Sequence, residues 1–159
     1  MQLTLHTDYA LRVLIYLAQK RDGLTTISEI ADFYHISRNH LVKVVHHLST
    51  ENFIHTTRGK HGGMRLARAP EMISVGEVVR RMEPNFDIVE CFSSSNQPCT
   101  VTAVCALKEV LYRAGNEFLA VLDRYSVADA TRQNEQTAQI FSVEQLLGNR
   151  PPRDRQGHP

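Results

Sequence analysis

Apolar residues recur along the front half of the chain at intervals of three and four, and polar capping residues break the pattern at regular points. From Leu5 to Ala18, the residues Leu11, Leu14, Ile15 and Ala18 fall on one side of a helix, widened by Tyr9, Val13 and Leu17. Thr4 or Thr7 suits its cap, and Asp22-Gly23 ends it. Asp8 and Arg12 stand four residues apart, a spacing that predicts an ion pair on the helix surface. Thr26-Ile27-Ser28-Glu29 has the form of a capping box and opens a second helix with Ile27, Ile30, Ala31 and Tyr34 inward. After a short turn at His35-Ile36, Ser37 caps a third helix whose inward positions are Leu41, Val44, Val45 and Leu48.

Two helices joined by so short a turn form a helix-turn-helix. The second presents Ser37, Arg38, Asn39 and His40 at its start and Lys43 one turn later. These hydrogen-bonding and cationic types sit where a recognition helix meets the major groove. A strand pattern follows at Phe53–Thr57, then the loop Arg58-Gly59-Lys60-His61-Gly62-Gly63, then a second strand at Met64–Ala67. The expected hairpin carries Arg58, Lys60 and His61 at a glycine-rich tip, which suits phosphates or a minor groove. A helix-turn-helix followed by a basic hairpin is a winged helix.

Past Pro70-Glu71, Ser74-Val75-Gly76-Glu77 is another capping box, opening a helix that Pro84 ends. Residues 84–101 are polar and turn-rich. A long helix is expected from near Thr102, with Leu107, Leu111, Ala114, Phe118, Val121 or Leu122, and Tyr125 along one face. That face is more than a small module can cover, so pairing with a second copy is expected. Ser126 caps a short final helix at Val127–Thr131. Ile140–Leu147 reads as a marginal helix and the Pro-rich end as disordered. The expected fold is mainly α with a small β-hairpin. Residues 1–70 form the winged helix-turn-helix, 71–131 a ligand-bearing loop with the dimerisation helix, and 132–159 an accessory tail.

Charge adds a bias. The net charge is +1, yet residues 1–68 carry nine Lys/Arg against five Asp/Glu, while 69–159 carry nine against twelve. Seven of the eight histidines lie in the front part. A basic front is compatible with a polyanionic partner. No run of eighteen apolar residues and no basic leader into an apolar stretch is visible, so a cytoplasmic location is expected.

The chain has three cysteines, Cys91, Cys99 and Cys105, spaced Cys-x7-Cys-x5-Cys. Three readings compete. An iron–sulfur cluster takes thiolate ligands and fits a flexible loop. Structural zinc usually takes four protein ligands, often in close CxxC pairs, and no such pair exists here. A thiol switch would close a disulfide on oxidation. An odd number of thiols argues against a disulfide framework. No catalytic triad, Walker loop or dinucleotide fingerprint supports an enzyme. A zinc-stabilised interaction module is the competing class.

Leu3-Thr4 with Thr7-Asp8-Tyr9-Ala10-Leu11-Arg12, then Ser37-Arg38-Asn39-His40-Leu41-Val42-Lys43, then Arg58–Gly63, then the three-cysteine loop and long helix make a combined pattern. It resembles the winged-helix, iron–sulfur transcriptional repressors of bacteria that include NsrR and IscR, with its likeness on the nitric-oxide-sensing NsrR side. The resemblance implies a homodimer on palindromic operator DNA, released when nitric oxide reacts with the cluster. It implies Cys91, Cys99 and Cys105 as cluster ligands and a 4Fe-4S cluster ahead of 2Fe-2S. It also implies Asp8 of the partner subunit as fourth ligand, with Arg12 beside it. IscR-like members use a histidine shortly after the third cysteine, and Ala106-Leu107-Lys108 holds none. A regulator of the same family that senses iron supply or cluster status is the neighbouring alternative.

Overall fold

The computed structural model describes residues 2–20, 23–93 and 99–132. Helix α1 spans Leu5–Gln19 and is capped by Thr4, whose side chain accepts the Thr7 amide. Thr7, the other candidate cap, lies inside the helix and is fully buried, its hydroxyl 3.1 Å from that of Thr4. The deepest face of α1 is Ala10, Val13, Leu14, Tyr16 and Leu17, while Leu11, Ile15 and Ala18 are only partly covered. The expected stripe is therefore rotated. Helix α1 is clasped from three sides, by α3 (Arg38–Thr50), α4 (Val75–Met82) and α6 (Val127–Ala130).

Helix α2 spans Ile27–Tyr34 and ends on His35, which takes a left-handed conformation (φ 53°). The Ile36 amide closes the turn onto the Ala31 carbonyl at 3.0 Å, and the Ile36 side chain is buried. This fixes α3 against α2 with Leu41, Val44, Val45 and Leu48 all inward, as their spacing predicts. Ser37 occupies the N-cap of α3 but its hydroxyl makes no cap bond. At α2 and α4 the hydroxyl half of each capping box forms, from Thr26 and Ser74. The acidic partners are drawn elsewhere: Glu29 holds Lys20 and the Tyr16 hydroxyl, and Glu77 holds Arg68.

The hairpin pairs β1 (Ile54–Thr57) with β2 (Gly63–Leu66), in the antiparallel register Ile54 to Leu66 and Thr57 to Gly63. Thr25 adds a further rung, exchanging two backbone hydrogen bonds with Met64 at 3.0 and 2.7 Å. Gly63 is required for this approach, since a Cβ there would stand 2.8 Å from the Thr25 carbonyl oxygen. Phe53, read as the first strand residue, is instead a core side chain just ahead of β1, with the Arg68 guanidinium over its ring.

Helix α5 spans Ala106–Asp123. It starts later than expected: Thr102–Val104 is a 3-10 turn and Cys105 is the N-cap, so Cys105 precedes the helix instead of lying within its first turns. No α5 residue is buried, although Arg80 of α4 grips Asp123 with both terminal guanidinium nitrogens. Ser126 and Asp129 form a complete capping box at α6. One apolar cluster runs from Ala10 through Leu48, Phe53 and Ile73 to Val127. Each large aliphatic fully buried there contributes about 1.5–3 kcal/mol. Among the described residues no buried side-chain nitrogen or oxygen lacks a partner, and no helix is long and apolar enough to cross a membrane. The expected marginal helix at Ile140–Leu147 and the Pro-rich end lie outside the described residues.

Candidate nucleic-acid interface and cysteine loop

The start of α3 is open to solvent. Ser37, Arg38, Asn39, His40 and Lys43 are all exposed. Arg38 reaches Asp32 at 3.7 Å, but both side chains are well exposed, so the pair contributes little and leaves the guanidinium available. The His40 ring stacks on Tyr9 of α1, with centroids 6.2 Å apart and planes 29° off parallel. His40 therefore sits on the flank of the exposed face, toward α1. Two residues that the sequence reading passed over, Val42 and His46, are exposed on the same helix. Their signal was the helical spacing from Asn39.

At the hairpin tip Arg58, Lys60 and His61 are exposed. Gly59 takes a φ of +110°, which side-chain-bearing residues rarely adopt, and its carbonyl accepts the Gly62 amide. Among the described residues no ion pair engages Lys43, Arg58 or Lys60. Lys43, Arg58 and Lys60 are thus uncommitted.

The three cysteines are free thiols in the connection between α4 and α5. Cys91 lies in the 3-10 turn Glu90–Phe92, packed on α5 through an edge-to-face contact between Phe92 and Tyr112. Cys99 is exposed, and its carbonyl accepts the amide and hydroxyl of Thr102. Cys105 caps α5 and is half-buried. Among the described residues no group of three or more His, Cys, Asp or Glu side chains is assembled for a metal ion. In kind and number the donors fit a sulfur-seeking centre: three thiols, none tied into a disulfide, all within reach of solvent. One chain brings three such donors, so a four-coordinate centre needs another ligand.

Asp8 is held by Arg12 through Nη2 at 2.8 Å and Nε at 3.2 Å, the predicted pair. The Arg12 guanidinium also lies over the rings of Tyr9 and Tyr34, at 6.0 and 5.8 Å. Burial pushes the Tyr34 phenol up to about 12, with Arg12 opposing and Asp8 adding to the shift. The start of α1 is anchored twice. Glu83 at the end of α4 accepts the Thr4 amide at 2.7 Å and the Thr4 hydroxyl at 3.1 Å. His6 and His47 share a 2.9 Å hydrogen bond that ties α1 to the last turn of α3. Burial, then the neighbouring His47, lowers the pKa of His6, with Glu83 opposing. No spacing signal announces Glu83 or the histidine pair, because the partners are 79 and 41 positions apart. A groove of about 560 Å³ lies between the segment before α1, residues 83–92 and α5, lined by Thr4, Glu83, Phe86, Ile88, Phe92 and Tyr112 among others.

The signature of the Rrf2 family, described as an iron-dependent transcriptional regulator, matches residues 3–133. The chain belongs to the Rrf2 family. The transcriptional regulator NsrR of Bacillus subtilis is 45% identical over 146 residues, covering 91% of this chain and all of that protein. NsrR of Shouchella clausii is 47% identical over 130 residues, covering 81% of this chain and 87% of that one. Among solved structures, CymR, the global cysteine regulator of B. subtilis, superposes with a TM-score of 0.68 at 24% identity, covering 85% of this chain and 99% of that one. T. potens IscR superposes with a TM-score of 0.67 at 23% identity, covering 86% and 90%. The Rrf2 fold of this chain is thus a winged helix with an appended long helix, and its class is transcriptional regulator.

Proposed function

We propose that this Rrf2 regulator is a homodimeric repressor that binds palindromic operator DNA, holds an iron–sulfur cluster, and releases DNA when nitric oxide reaches that cluster. One observation carries the reading: three uncommitted thiols sit in the same chain as an open recognition face, in a protein matching NsrR regulators over most of its length. When bound, the cluster supplies iron whose thiolate ligands are strong and whose oxygen ligand is weaker. Cys91, Cys99 and Cys105 would hold it, with Asp8 of the partner subunit as the fourth donor. A 4Fe-4S cluster suits that ligand set better than 2Fe-2S.

The chain's own residues supply the switch. Asp8 has two partners to choose between, the iron and Arg12. In the single chain Arg12 already grips Asp8 with two nitrogens. The pair sits on the helix that His6–His47 ties to α3, so a change at Asp8 has a short mechanical route to the DNA face. Leu107, Val110 and Val121 of α5, with Tyr125 just past its end, are the exposed apolar surface a second copy would cover. Arg38, Asn39 and His40 would read bases, and Ser37, Lys43, Arg58, Lys60 and His61 would meet phosphate or the minor groove.

The test is an anaerobic titration with nitric oxide that follows the visible spectrum and operator binding together. Bleaching and DNA release at the same stoichiometry support the reading; colourless protein, or release without spectral change, refutes it. Asp8→Ala isolates the fourth ligand, since an unchanged spectrum and unchanged reactivity would exclude Asp8. The description of the family as iron-dependent favours a second reading, sensing of iron supply, in which iron chelation and not nitric oxide releases DNA.

A further inference from the structure

We propose that Val42 is a specificity-determining residue that reads a thymine through its 5-methyl group; this rests on the proposed placement of α3 in the major groove. Helix α3 has two faces. Leu41, Val44, Val45 and Leu48 fill the core side. Asn39, Val42, Lys43 and His46 recur at i, i+3, i+4 and i+7 on the other, and all four are exposed. Val42 keeps 51% of its surface open, in the middle of three polar neighbours.

A lone exposed aliphatic is ordinary on most surfaces. Its position decides the matter here. The core side of α3 already has its four aliphatics, and a β-branched residue is a weaker helix former than the polar alternatives, so neither packing nor propensity accounts for Val42. Base edges in the major groove offer donors and acceptors, with one apolar exception, the C5-methyl of thymine. Val42 has no polar atom to offer. Against a purine edge it would strip water from a donor or acceptor and leave that group unpaired, and the flat C5–H of cytosine offers it no methyl to pack on. Against thymine it buries a methyl against two methyls whose χ1 is already restricted. Asn39, one turn before, carries the type that pairs with an adenine edge, and Lys43, one residue after, brings a cation to the flanking phosphate. The ligand is therefore a half-site with a T·A pair beneath Val42 and an adenine beside it.

The experiment uses the full chain. Bound duplexes are selected from a randomised pool, and each thymine of the selected site is then replaced singly by deoxyuridine, which removes only the methyl. One position in each half-site should weaken wild-type binding roughly fivefold on loss of that methyl. Val42→Ala should be insensitive at that position alone and keep the wild-type salt dependence. Val42→Thr, which retains one methyl, should fall between. If no position is methyl-sensitive, or Val42→Ala shows the same loss as wild type, the assignment of Val42 is overturned while the DNA-facing placement of α3 stands. If Asn39→Ala and Lys43→Ala also leave affinity unchanged, the placement of α3 is wrong and Val42 falls with it.

Discussion

Removing the Glu83 carboxylate should loosen the start of α1. One oxygen accepts both the Thr4 amide and the Thr4 hydroxyl. The Thr4 amide has no partner within the helix, and Glu83 stands at the positive end of the α1 dipole. A hydrogen bond to an ionised acceptor contributes about 1.5–3 kcal/mol, and the dipole about 0.3–1 kcal/mol. Glu83 is half-buried and water can replace it at the amide, so about 2 kcal/mol is expected for Glu83→Ala. Gln keeps an acceptor but no charge, so Glu83→Gln should lose about half as much, ~1 kcal/mol. For a chain of this length the Ala variant should melt roughly 4–8 °C lower. Urea unfolding of reduced, cluster-free protein, followed by far-ultraviolet circular dichroism, gives the ranking wild type, Gln, Ala. Adding Thr4→Ala should cost less in the Glu83→Ala background than in wild type, because the shared bond is already gone. Equal losses from Gln and Ala, or additive losses with Thr4→Ala, would refute the account of a charged clamp on the helix start.

Leu41→Ala empties a fully buried site at the contact of α3 with the core and should lower stability by about 3 kcal/mol, read from the urea midpoint. Gly63→Val places a side chain against the Thr25 carbonyl, so the rung to Met64 must break; DNA binding should lose the salt dependence contributed by the wing tip, whereas an unchanged salt slope would show the wing does not touch phosphate. Tyr34 has a folded-state pKa of about 12, raised above its usual value, so its contribution to stability is intact below about pH 10 and lost as pH rises from there to about 12. Phenolate absorbance of the native protein should lose its highest-pH step in Tyr34→Phe; an unchanged titration would count against the buried phenol. Leu107→Glu on the exposed side of α5 should break the proposed homodimer, read as a fall to monomer mass in sedimentation, with little effect on the fold of the single chain.

Much of this molecule is legible in local chemistry. Periodicity placed α2 and α3 and their inward residues, because Ile30, Ala31, Leu41, Val44, Val45 and Leu48 have one core to face. The ion pair of Asp8 with Arg12 needed only a helix and a spacing of four. Ser126 and Asp129 capped α6 because both halves of that box lie within four residues. The basic, glycine-bearing tip of the hairpin followed from composition. Where several surfaces compete, local rules fell short. The buried stripe of α1 is rotated because three helices close on it. Glu29 and Glu77 turn instead to Lys20 and Arg68, each nine positions earlier in the chain and outside the four-residue span that a capping box reads. The start of α5 slips to Ala106 because Thr102–Val104 turns more tightly than an α-helix.

By itself the amino-acid order determined the helix-turn-helix, the wing, the number and softness of the sulfur donors, and the cations on the open side of α3 and at the hairpin tip. Those depend on residue type and on neighbours a few positions away. Only the tertiary structure decided that Glu83 clamps the start of α1, that His6 meets His47, and that Val42 stands open among polar residues. Each of these joins or compares positions that are distant in the chain, or depends on which side of a helix the core leaves uncovered, and packing alone settles that.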